Sequence, residues 1–105
     1  MKRIALLTVA ALALAGAAAA KPLSSTHYAG HELAGQAKVD LAHAKVIALK
    51  AHPGVVIDQE LEKEDGGSGL RWSFDIRSKG ATYEVGVDAT DGKVLENAKE
   101  GAHPD

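Results

Sequence analysis

Two successive runs of alternating residues constrain this chain more than anything else in it. In the first, Leu70, Trp72, Phe74 and Ile76 interleave with Arg71, Ser73, Asp75 and Arg77. In the second, Tyr83, Val85, Val87 and Ala89 interleave with Glu84, Gly86 and Asp88. A period of two puts each apolar set on one face of a strand. Ser78-Lys79-Gly80-Ala81 between them reads as a turn. With Lys79-Gly80 as a two-residue loop, Ser78 pairs with Ala81, Phe74 with Val85, Trp72 with Val87 and Arg71 with Asp88. The same register sets Asp75 opposite Glu84, an unfavourable like-charge pair, and a two-residue slip would pair Arg77 with Glu84 instead. The turn is the stronger constraint, so the first register is expected.

The flanking segments extend this pair into a meander. Asp91-Gly92 supplies a second turn, because Gly accepts a positive φ and Asp bonds its own nearby backbone. Val94 and Leu95 then form a short return strand. Upstream, Val55, Ile57 and Leu61 share a strand face with Gln59 and Lys63, while Asp58, Glu60, Glu62 and Glu64 occupy the other. Asp65-Gly66-Gly67-Ser68-Gly69 reads as a flexible hairpin loop. A helix precedes the strands. Asp40 is its N-cap, Leu41, Ala44, Ile47, Ala48 and Ala51 fall on one face, and Pro53-Gly54 stop it. The expected class is α+β, with one helix packed on one face of a three- to four-stranded antiparallel meander. Trp72, Phe74, Ile57, Leu61, Val85 and Val87 would meet Leu41, Ala44, Ile47 and Ala48. The opposite face is almost wholly polar and needs no second layer.

The two ends read differently. Lys2 and Arg3 precede an apolar run from Ile4 to Ala15, and Ala18-Ala19-Ala20 offers a small-residue cleavage site. The run falls short of the roughly 20 residues that a membrane span needs. Residues 1–20 are therefore expected to be a cleaved signal peptide, cut between Ala20 and Lys21, with a periplasmic or secreted destination in a bacterium. Residues 21–37 are expected to be a flexible N-terminal arm, and 98–105 a C-terminal tail. The formal net charge is −2, and loss of Lys2 and Arg3 would make it more acidic. An acidic balance argues against nucleic acid and anionic lipid as partners. The chain has no Cys, so neither a disulfide staple nor a lipoprotein anchor is available.

Three segments in order carry a likeness to a known family. Ala44–Gly54 (AKVIALKAHPG), the acidic strand Glu60-Leu61-Glu62-Lys63-Glu64, and Tyr83–Leu95 (YEVGVDATDGKVL) resemble the PepSY domain over residues 38–97. The resemblance implies a small α+β module like those in the propeptides of secreted metallopeptidases. It also implies a non-catalytic regulatory or binding role, with a peptidase or another envelope protein as partner.

The residues with chemistry of their own do not assemble into a site along the sequence. His31-Glu32-Leu33-Ala34-Gly35 begins like a zincin motif, but Gly35 stands where the second histidine must be. Ser24, Ser25 and Thr26 beside His27 offer a nucleophile and a base, with no carboxylate or oxyanion hole to complete them. His27 and His31, four residues apart, with His43, His52 and His103, offer imidazoles for Zn²⁺ or Cu²⁺, which makes a metal-linked binder the alternative function. The row Asp58, Glu60, Glu62, Glu64 reads as a solvated stripe balanced by Arg71 and Arg77. Its functional version is a surface for a basic partner, or a loose Ca²⁺ site hampered by the roughly 7 Å between same-face neighbours. Strand one also has a free edge on which an extended peptide could add. No residue is assigned a catalytic, cofactor-binding or metal-binding role, and no cofactor or enzyme activity is expected. A purely structural domain remains a third reading.

Overall fold

The structure is a computed structural model and describes residues 26–101; the expected signal peptide, its cleavage site and His103 lie outside the described residues. A short 3-10 helix, His31–Gln36, leads into helix α1, Leu41–Ala51. Four strands follow: β1 (Val55–Lys63), β2 (Leu70–Ser78), β3 (Ala81–Asp88) and β4 (Val94–Lys99). They form one antiparallel sheet in the order β1-β2-β3-β4. The fold is α+β, with the helix ahead of the strands.

Turn chemistry decides the central register. Lys79 and Gly80 both take positive φ, 52° and 80°, the geometry that matches a two-residue hairpin to strand twist. Ser78 accordingly faces Ala81, Phe74 faces Val85, Trp72 faces Val87 and Asp75 faces Glu84. Arg77 lies opposite Thr82 and donates to its hydroxyl at 3.0 Å.

Helix α1 forms where the sequence places it. The Asp40 carboxylate accepts from the His43 amide at 2.9 Å, closing the first turn. Ala44 and Ala48 are fully buried, so the helix axis comes close to the sheet. It lies over β2, β3 and β4. Its entry is held by Lys38 and Val39, whose amides donate to the Ala89 carbonyl at 2.8 and 2.9 Å, and by the Trp72 indole, which donates to the Val39 carbonyl at 2.7 Å.

Three expectations need correction. A β-bulge between Val56 and Asp58 leaves Ile57 without a partner on β2 and turns Val56 into the core opposite Ile76. Ile57 therefore does not meet the helix, and Val55 is exposed, because the extra residue reverses the alternation upstream of it. Nor does β4 stop at Leu95. It runs to Lys99, and the Glu100 amide still donates to the Thr82 carbonyl at 2.8 Å.

The third correction concerns the arm. Residues 26–37 are laid against β1 rather than detached from the domain. Ala29 forms a parallel bridge with Glu60, and the Leu61 amide donates to the Ala29 carbonyl at 2.9 Å. The Gln59 side-chain amide donates to the His27 carbonyl at 2.7 Å. The Tyr28 ring meets Trp72 edge to face with centroids 5.0 Å apart. Tyr28, Leu33, Ala37 and Val39 all pack on the core. The helix leaves β1 uncovered, and this segment covers it instead.

Candidate functional site

The face of the sheet away from α1 is the most distinctive surface. Alternation places Asp58, Glu60 and Glu62 of β1 on it, with Arg71, Ser73, Asp75 and Arg77 of β2. Thr82, Glu84, Gly86 and Asp88 of β3 and Glu96 of β4 complete it, as the pairing dictates. No second layer covers this face among the described residues.

The buried parts of this face are held by their own polar contacts. Arg71 is 6% exposed. It crosses Gly86, where an added Cβ would sit 2.8 Å from its Cδ, and this explains a glycine in mid-strand. Its guanidinium reaches Glu96 at 3.2 Å, Glu64 at 3.9 Å and the Asp65 carbonyl at 3.0 Å. Arg71 and Asp88 do occupy opposite positions, yet the guanidinium turns to β4 and the β1–β2 loop. The two residues are neighbours in register, but the contacts of Arg71 go to Glu96, Glu64 and the Asp65 carbonyl instead of to Asp88.

Asp88 has a different task. Its carboxylate accepts from the Ser68 amide and hydroxyl, each at 2.7 Å, and from the Thr90 amide at 2.8 Å. Burial by itself would raise its pKa, but these hydrogen bonds outweigh it and hold the carboxyl below the ordinary range. Asp88 thus pins the 65–69 loop to the β3–β4 turn, and the loop expected to be flexible is bonded in place. Asp88→Ala is expected to cost about 2–3 kcal/mol, because it strands buried donors. Urea unfolding checks this, and a loss under about 0.5 kcal/mol would contradict the role.

A second group gathers at the other end of the face. Asp75, Glu84 and Glu100 each place a carboxylate oxygen within 4.8 Å of the others. The hairpin register forces Asp75 and Glu84 together, and the extension of β4 brings in Glu100. Burial, then the charges of Glu100, Glu84, Asp58 and Glu60, push the Asp75 carboxyl up to about 8. Such an oxygen set suits a hard cation, and it equally suits a retained proton. The sequence showed the Asp75–Glu84 pair only as a conflict and missed Glu100. Glu96-Asn97-Ala98-Lys99-Glu100 has no apolar alternation, because this edge strand is held by backbone pairing and by polar side-chain bonds of Glu96 and Asn97 rather than by apolar burial.

The residues considered for other chemistry do not converge. His31 stacks on Tyr28 with centroids 3.9 Å apart, His43 lies 2.8 Å from Asp40, and His52 stacks on Tyr83 at 3.8 Å. Among the described residues, no histidine belongs to a group of three candidate metal ligands. His31 and Gly35 lie on the short 3-10 helix, and His27 lies ahead of it. Of the acidic stripe, Asp58, Glu60 and Glu62 share one face of β1, with Glu62 accepting from the Ser73 hydroxyl at 2.6 Å, while Glu64 lies just past the strand's end.

A helix over an antiparallel sheet with one open acidic face defines a small α+β module. A family model described as "Peptidase propeptide and YPEB domain", the PepSY domain, matches residues 38–97, and the chain belongs to that family. Comparison with curated proteins and with solved structures returns no match. Domains of this family are generally non-catalytic propeptide or regulatory modules, typically extracellular or periplasmic. No helix among the described residues is long and apolar enough to cross a membrane.

Proposed function

We propose that this chain is an exported, non-catalytic module that binds another envelope protein and restrains or assists it, a peptidase being the favoured client. The observation that carries the reading is the open sheet face, where Asp58, Glu60, Glu62, Glu84 and Glu96 outnumber Arg71 and Arg77. A basic surface on the partner complements such a face, and complementary fields raise both encounter rate and selectivity. Membership in a family of propeptide-like modules supports a protein as the ligand. Export rests on the basic and apolar N-terminal residues, with cleavage after Ala20.

The test is capture from an envelope fraction by the wild-type chain and by the Glu60→Lys/Glu62→Lys variant. Both positions are partly exposed, so the fold is expected to survive. Charge reversal is expected to reduce capture at least tenfold, and raised salt to weaken the wild-type complex. Equal capture by both forms at every salt concentration would remove the acidic face as the contact surface.

A further inference from the structure

The matched family domain begins at Lys38, yet the apolar side of β1 is covered by residues that precede it. The helix spans β2, β3 and β4, and the 3-10 helix is what approaches β1. The cover is built like a bound peptide. It runs parallel to β1 through the Ala29–Glu60 bridge, and its backbone contact is the Leu61 amide to the Ala29 carbonyl. Gln59, 1% exposed, grips the His27 carbonyl, and Tyr28 seats its ring on Trp72. Gly30 has a φ of 95°, and a Cβ there would overlap the Leu61 carbonyl oxygen, so only glycine fits at that step. The 3-10 helix that follows buries none of its own residues. The leading end, 27–30, is held by these backbone and ring contacts, and farther along Leu33 and Ala37 pack on the core.

We propose that the outer edge of β1 is a peptide-binding edge whose resident occupant is the chain's own segment 27–30. An extended segment of a partner protein displaces it, running parallel to β1 and carrying an aromatic residue, a small residue and a glycine in succession. Strand addition at a sheet edge supplies affinity through the backbone, and side-chain pockets supply selectivity. Here the Trp72 ring reads the aromatic residue, Gln59 holds the preceding carbonyl, and the Leu61 carbonyl excludes any Cβ at the third position. The resident segment competes from within the same molecule at high effective concentration. It thus sets the threshold that a partner must exceed. This rests on the reading of the chain as a protein-binding module and adds which edge binds and how that edge is masked.

The experiment uses the full chain and a synthetic peptide with the sequence of residues 26–36. The Tyr28→Ala/Gly30→Val variant releases the resident segment. Peptide affinity is followed by Trp72 fluorescence, and protection of the Leu61 amide by hydrogen exchange. The released variant is expected to bind the peptide at least tenfold more tightly than the wild type and to regain Leu61 protection on binding. A peptide with Ala in place of the tyrosine is expected to bind at least tenfold more weakly. If the double variant fails to unfold cooperatively, Tyr28→Ala alone takes its place, with an expected gain of at least threefold. Equal binding by wild type and a folded released variant, or none by either, overturns the proposal. Dimerisation of the released variant through exchanged segments also overturns it, by assigning the edge to a second copy. Loss of peptide binding with envelope capture intact sinks this inference alone, whereas loss of capture with peptide binding intact sinks the acidic-face reading alone.

Discussion

Trp72→Ala is expected to remove about 3–5 kcal/mol of stability, which is most of what a domain of this size holds. Trp72 is 2% exposed and stands where every layer meets. Val87 lies opposite it on β3 and Leu61 on β1, and Tyr28 rests on its edge. Truncation opens a cavity that Ala44 and Ala48 are too small to fill. It also leaves the Val39 carbonyl without the indole donor at 2.7 Å. Removing one partner from a buried hydrogen bond costs more than the bond itself contributes. Phe74→Ala, at a fully buried position, is expected to cost a similar amount without the hydrogen-bond component. Val46→Ser, at a helix position that is 58% exposed, should stay within about 0.5 kcal/mol of wild type. Urea unfolding of the three variants is the measurement. Trp72→Ala as stable as Val46→Ser would refute the core described above.

The second large effect is a pH dependence with an unusual sign. Carboxylates that are ion-paired or well hydrogen-bonded in the folded chain are held below their ordinary pKa and lose stability in acid. Asp75 is raised, from 3.8 to about 8. Below about pH 4 it is protonated in both folded and unfolded chains, so its contribution is fully present. Between about pH 4 and 8 the folded chain keeps a proton that the unfolded chain releases, and stability falls as pH rises. The slope is at most about 1.4 kcal/mol per pH unit. The neighbouring charges of Glu100 and Glu84 add to the effect of burial on Asp75. Asp75→Asn removes the charge and keeps the shape. It is expected to match wild type near pH 4 and to exceed it by a growing margin, reaching a few kcal/mol at pH 8. Parallel stability profiles for the two proteins would rule out proton retention at this position.

Much of the fold was legible because local chemistry and hydrophobic period agreed. Asp40 capped the helix it precedes, Lys79-Gly80 set a two-residue turn, and the β2–β3 register followed from that turn residue by residue. What escaped was non-local or irregular. The bulge at Ile57 has no sequence marker, since Val55, Val56 and Ile57 are all apolar and fit either alternation. Residues 26–37 hold few large apolar side chains, yet Tyr28 and Leu33 suffice because β1 needs only a narrow cover. The carboxylate group was half visible. Asp75 and Glu84 were paired correctly and read as a penalty, when burial lets the penalty be met by a proton. Asp88 shows the reverse error, for register placed Arg71 beside it but could not say that Ser68 would reach it first.

The two small residues at the centre of α1 carry a mechanical implication. Ala44 and Ala48 let the helix axis come close to the sheet, while Leu41, Ile47 and Leu49 pack against the core beside them. Polar and ring contacts fasten the helix further at both ends. Lys38 and Val39 tie the entry to Ala89, Asn97 reaches the Ala51 carbonyl at 3.3 Å, and His52 stacks on Tyr83. The helix is suspended like a beam between two brackets, one at the β3–β4 turn and one at the far end of β3 and β4. Both brackets join the helix to β3, β4 or the turn between them, so the helix and this half of the sheet are tied as one unit.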